Sequence, residues 1–215
     1  MSSFILKLIA LIAMSFDHTG KVFLTDPTLF TLIGRLSFPI FAFQIVEGYT
    51  HTKNLKKYLL RLFIVAVIAE VAFYNLFGGL DTIFTLILGI LCLVVHDKEK
   101  DKAISLTVIF TILIFSILFD LDYSFYGLLV IIFFYLFRDN KIKKSIAFTI
   151  LTIFYYGLLL LITKDINMIY MMVATLSSLI FINLYNNKQG PSLKYLFYIY
   201  YPLHLYILWI LQVVI

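Results

Sequence analysis

The chain has 215 residues, 62% of them hydrophobic and only 13% charged, with a mean hydropathy of +1.01. Soluble domains are roughly 45–50% apolar, so a soluble globular domain is excluded and an all-α, polytopic membrane bundle is expected. The net charge of +5 sits in short stretches between apolar runs, which points to membrane topology and not to nucleic acid.

A helical span needs roughly 20 apolar residues. Nine segments come near that length: 4–24, 29–49, 58–77, 80–96, 103–120, 123–137, 145–163, 166–184 and 194–214. The first has one early lysine and no small-residue cleavage site, so it reads as an uncleaved span and not a signal peptide. The fourth, fifth and sixth are short, which leaves a tilted or re-entrant path open. No internal repeat, low-complexity tract or second domain interrupts the chain, and 1–215 is expected to be one domain. The single cysteine, Cys92, lies in an apolar run, where a buried inert thiol is expected.

Basic residues alternate loop by loop. One face collects Lys7; Lys53, Lys56, Lys57 and Arg61; Lys98, Lys100 and Lys102; Arg138, Lys141, Lys143 and Lys144; and Lys188 and Lys194. These are 14 of the 17 basic residues, whereas the other face has Lys21 and Lys164, and Arg35 falls within the second span. The rule that positive loops stay inside places the first face, and the N-terminus, in the cytoplasm.

Ionisable groups inside spans are expensive in lipid and tend to face a bundle interior. Here they fall at two depths. Asp17, His18, Arg35, Asn75, Asp120 and Asp122 lie toward the external side, and Lys7, Glu47, His51 and Arg61 toward the cytoplasmic side. Lys7 and His18 are 11 residues apart, hence rotated by only about 20° and separated by about 16 Å along a helix. Leu11 and Met14 share their stripe. Gln44, Glu47 and His51 share a face of the second span, whereas Arg35 falls opposite Gln44 unless Pro39 kinks the helix between them. A histidine near neutral pH can take a proton from a nucleophile. Asp17 either orients His18 or pairs with Arg35. In the last span Tyr201 and His204 flank Pro202 on neighbouring turns, a candidate substrate contact alongside Asp122. No metal-ligand spacing and no phosphate-binding glycine loop is present, so no metal is expected.

The stretches "LKLIALIAMSFDHTGKVF", "IGRLSFPIFAFQIVEGYTHTKNLKKYLLRL" and "KYLFYIYYPLHLYIL" resemble the TraX-type F-pilin acetylation family. They are distantly similar to acyltransferase type 3 proteins and heparan glucosaminide N-acetyltransferase. In the type 3 family a basic residue, ten positions and a histidine occupy the first helix, as Lys7 and His18 do here. The resemblance implies a membrane acetyltransferase of the bacterial cytoplasmic membrane that uses cytosolic acetyl-CoA on an external acceptor, either a pilin-type amine or a glycan. It implies His18 as the catalytic histidine, with Lys7 near the cofactor's entry side. On that reading His18 would be the base or acyl carrier, oriented by Asp17 or another carboxylate, with Arg35 or Asn75 stabilising the oxyanion. Coenzyme A would be held by Lys7, Glu47, His51, Lys53, Lys57 and Arg61, and the acceptor by Asp122, Tyr201 and His204. A proton-coupled transporter or a non-catalytic scaffold would place similar polar residues within the membrane.

Overall fold

The computed structural model describes residues 1–191 and 194–214; the side chain of Lys194 lies outside the described residues. Among these residues there are ten helical segments and no named strand. Five apolar helices are long enough to cross a membrane: Ser3–Phe23, Thr28–His51, Leu55–Phe77, Lys141–Thr163 and Tyr195–Val214. Their outward faces carry large exposed side chains such as Ile12, Phe63, Leu161 and Ile210, as a lipid-facing surface requires. The chain is therefore a helical membrane bundle.

The helices follow local stop and start signals. α1 (Ser3–Phe23) begins where the Ser2 side chain accepts from the Ile5 N–H. α4 (Leu55–Phe77), α5 (Thr82–Lys98), α6 (Lys102–Leu118) and α8 (Lys141–Thr163) start at Asn54, Asp81, Asp101 and Asn140, whose side chains accept first-turn N–H groups. Such residues satisfy donors that the helix itself cannot. α7 (Ser124–Leu136), α9 (Asn167–Asn183) and α10 (Lys194–Val214) complete the set.

The second expected span is one rod in two pieces, α2 (Thr28–Gly34) and α3 (Ser37–His51). Pro39 cannot donate to the carbonyl four residues back, and its ring crowds that carbonyl. That residue is Arg35, so the break falls at Arg35–Leu36, while Pro39 sits harmlessly in the first turn of α3. The Ser37 hydroxyl donates to the freed Gly34 carbonyl at 2.7 Å. Arg35 is thereby released from the regular helical register that set it opposite Gln44.

α1 and the α2–α3 rod form the centre. α1 packs on α2, α3 and α10; α10 also lies along α4, and α7 fits between α3, α5 and α8. The approach of α1 to α2 depends on small residues, as is common between membrane helices. A Cβ on Gly34 would collide with the Asp17 side chain, and one on Gly20 with Phe30.

The short fourth to sixth segments have a structural cause. The turns 78–81 and 119–123, at the end opposite the basic loops, fold into the bundle. Leu80 and Leu121 pair as an isolated parallel bridge, with Leu80 N–H donating to Asp120 O at 3.2 Å and Asp122 N–H to Leu80 O at 3.0 Å. The Asp81 N–H reaches Glu70 on α4 at 3.1 Å, seven positions before that helix ends. Helix is given up here because the irregular backbone is enclosed by protein and paired with itself, the condition under which it survives at membrane depth.

Candidate active site

A cavity of about 1290 Å³ runs through the bundle. At the basic end it is bordered by Glu47, Gly48, His51, Thr52 and Tyr58; at the other end by Asp17, His18, Lys21, Arg35 and Asp122. Between them lie Leu11, Met14, Ile45, Leu62 and Val65, an apolar middle section. The stripe of α1 faces inward, because Lys7, Leu11, Met14 and His18 all line the cavity, as do Gln44, Glu47 and His51 of α3.

His18 is 7% exposed. Its Nδ1 lies 2.8 Å from Nε2 of His204, and the two rings are parallel within 8°. Phe73 and Phe77 of α4 pack against it. His204 is held in turn by its Nδ1, 3.2 Å from the Tyr200 carbonyl, and by the ring of Tyr200 stacked within 12°. Pro202, inside α10, leaves that helix one backbone bond short just where these side chains turn inward.

Asp17 does not orient His18, and its ion pair is with Lys21, not Arg35. Lys21 Nζ donates to Asp17 Oδ2 at 2.8 Å. The reason is helical spacing: a partner four residues along the same helix is always within reach. Arg35 lines the same chamber with its guanidinium 5.8 Å from the Tyr123 ring centre. Asp122 is anchored through Thr82, which donates to its Oδ2, and its carbonyl accepts from Thr85 at 2.5 Å.

Four buried side-chain atoms among the described residues lack a hydrogen-bond partner: Asp17 Oδ1, Arg35 Nε, Gln44 Nε2 and Asp81 Oδ2. Such atoms are rare in native proteins, and each costs about 1–3 kcal/mol. The residues of three of them, Asp17, Arg35 and Gln44, line the cavity, where a polar ligand or water would satisfy them.

Other expected residues are placed differently. Asn75 is exposed on the outer surface of α4, its amide donating to the Val71 carbonyl at 2.6 Å. It is half a helical turn away from the inward-facing Phe73 and Phe77 and does not belong to the site. Lys53 and Lys57 are exposed beside the mouth and do not line the cavity; Arg61 is half-buried nearby, against Tyr198. Lys53 lies in the turn after α3 and Lys57 in the first turn of α4. His204 does not line the cavity either: it stands behind His18, so it is a partner of that ring and not a substrate contact. Tyr201 does line it, with its hydroxyl donating to Asp81 Oδ1 at 3.0 Å. Asp81, fully buried, had no signal in the sequence beyond an N-cap. Its depth depends on the folded-in turn. Cys92 is buried.

The fold and the cavity define a class: a polytopic helical membrane protein with a cavity, polar at both ends, that reaches a buried histidine pair. Residues 2–212 match the TraX protein family, and the chain belongs to that family. The match extends through the middle helices, whose sequences are otherwise generic apolar runs. A relative from Dichelobacter nodosus, the probable fimbrial assembly protein FimC of serogroup H1, is 31% identical over 235 residues, covering 96% of this chain and 94% of the relative. No solved structure matches the chain.

Proposed function

We propose that this protein is an integral-membrane acetyltransferase that draws acetyl-CoA from the cytoplasmic side and acetylates an amine presented at the external side of a bacterial cytoplasmic membrane. The observation that carries this reading is the cavity that joins the mouth at the basic end to His18. Basic loops favour the cytoplasm, so the donor enters where its phosphates meet cations. That the relative is described as a probable fimbrial assembly protein favours a pilin-type subunit over a glycan as the acceptor.

Dimensions support the donor. Lys7 and His18 both face the cavity, and 11 residues of helix separate their Cα atoms by about 16 Å. A pantetheine arm has about 13 bonds between its sulfur and the diphosphate, and at roughly 1.2 Å per bond in an extended chain it spans about 16 Å. An arm lying along α1 with its diphosphate at the Lys7 ammonium would bring the thioester to His18. The apolar middle section suits the methylene groups of that arm, and Gln44 offers an unpaired amide donor near the mouth.

His18 then acts as general base. Its ring takes a proton from the acceptor nitrogen as that nitrogen bonds to the thioester carbonyl carbon. When the carbon–sulfur bond breaks, the same ring returns the proton to the leaving sulfur. Arg35 supplies a charge-assisted donor for the oxygen that becomes negative in between. Asp17, held by Lys21 with one oxygen unpaired, offers that oxygen as a hydrogen-bond acceptor to the N–H of the neutral acceptor amine.

The test is transfer of labelled acetyl from acetyl-CoA to a pilin subunit in membranes. A positioned base contributes about 10²–10⁴-fold, so His18→Ala should lose at least a hundredfold while eluting from gel filtration as the native protein does. Full activity in that variant would overturn the catalytic assignment.

A further inference from the structure

We propose that His204 is the positioning residue for His18: it fixes which ring nitrogen of His18 carries the hydrogen and leaves Nε2 as the reactive one. This rests on the reading of His18 as a base.

The tautomers of both rings follow from their donors and acceptors. A carbonyl oxygen only accepts, so His204 Nδ1, 3.2 Å from the Tyr200 carbonyl, carries a hydrogen. A neutral imidazole has one donor and one acceptor nitrogen, which makes His204 Nε2 a lone pair. That lone pair faces His18 Nδ1 at 2.8 Å. His18 Nδ1 must therefore donate, and the hydrogen is absent from His18 Nε2. The opposite tautomer of His18 would set two lone pairs against each other at the same distance, in a buried place where water cannot relieve them.

The surroundings keep the arrangement from turning over. Phe77 and Phe73 flank the His18 ring at centroid distances of 5.0 and 6.4 Å. Tyr200 and Tyr201 enclose His204 at 5.5 and 5.4 Å. Tyr200 is itself fixed by its hydroxyl, 2.7 Å from that of Ser15 on α1, and Tyr201 by Asp81. A ring flip at either histidine would break the bond between them. When His18 takes up a proton, its Nδ1–H already has an acceptor, so the imidazolium forms without any side chain having to move. The chain Tyr200 carbonyl, His204, His18 thus does for this base what a carboxylate does for histidines elsewhere: it orients the ring and stabilises its charged form.

The experiment is nitrogen NMR of the full-length protein labelled at its histidines, of which there are four, in lipid nanodiscs. His18→Ala identifies the resonances of that ring. In the wild type, His18 should show a protonated Nδ1 and an unprotonated Nε2. His204→Gln, which keeps an acceptor oxygen at that position, should preserve this state, and His204→Leu should shift the hydrogen to Nε2. A wild-type His18 protonated on Nε2, or a tautomer unchanged in His204→Leu, overturns the proposal. If the leucine variant does not fold, the wild type and glutamine variant still decide. The spectra need no acetyl donor, so failure here is distinct from failure of the acetyltransferase reading, which labelled transfer by His18→Ala decides separately.

Discussion

Tyr201 donates a hydrogen bond to Asp81 across 120 positions of sequence, at 3.0 Å and wholly inside the bundle. It joins α10 to the turn that opens α5 and holds that turn at the depth of Glu70. Removing the hydroxyl leaves Asp81 Oδ1 with the Ile83 N–H alone, and Oδ2 has no partner at all. Tyr201→Phe should therefore destabilise the protein by about 1–3 kcal/mol. Unfolding in detergent checks this, and the double variant Tyr201→Phe with Asp81→Asn should recover part of the loss, because the buried carboxylate charge is gone while the side-chain oxygen still caps the Ile83 N–H.

Gly34 and Gly157 make a paired prediction. A Cβ at Gly34 meets the Asp17 side chain, whereas one at Gly157 meets nothing within 4 Å. Gly34→Ala should cost about 1–3 kcal/mol through overpacking and should also displace the Asp17–Lys21 pair. Gly157→Ala, in the interior of α8, should gain about 0.5–1 kcal/mol from helix propensity. Thermal unfolding of the two variants side by side measures the difference.

Lys7 faces the cavity while Lys53 and Lys57 stand exposed beside its mouth. A charged contact made away from bulk water is worth about 1.5–3 kcal/mol, and an exposed one about 0–1 kcal/mol. Lys7→Ala should raise the KM for acetyl-CoA by roughly tenfold or more with a smaller change in kcat. Lys53→Ala and Lys57→Ala should each change it by less than about fivefold and mainly at low salt. Steady-state kinetics at two ionic strengths separate the two classes.

Asn75 provides a control. Its amide is satisfied by the Val71 carbonyl on the outer face of α4. Asn75→Ala should leave acetyl transfer within about twofold of the wild type, since surface changes of this kind are close to neutral. A large loss would return Asn75 to the site.

These residues also show what a sequence can disclose. The Lys7–His18 stripe was legible because it depends only on helical period, and so was the inward face of Gln44, Glu47 and His51. The break before Pro39 was legible in kind, since proline disturbs the carbonyl four residues earlier, but not in its effect on where Arg35 faces. Asn75 was misplaced because depth alone does not say which side of a helix a residue occupies. The partnership of His18 with His204, 186 positions apart, and the burial of Asp81 depend on how α10 and the folded-in turns pack. Neither property is local.

The most direct test of the central claim is a structure of the protein with coenzyme A bound in a lipid environment. The account predicts the diphosphate at Lys7, the arm along Leu11 and Met14, and the sulfur beside His18. Coenzyme A seated only on the surface lysines 53 and 57, with the cavity closed to it, would contradict the proposed path from donor to acceptor.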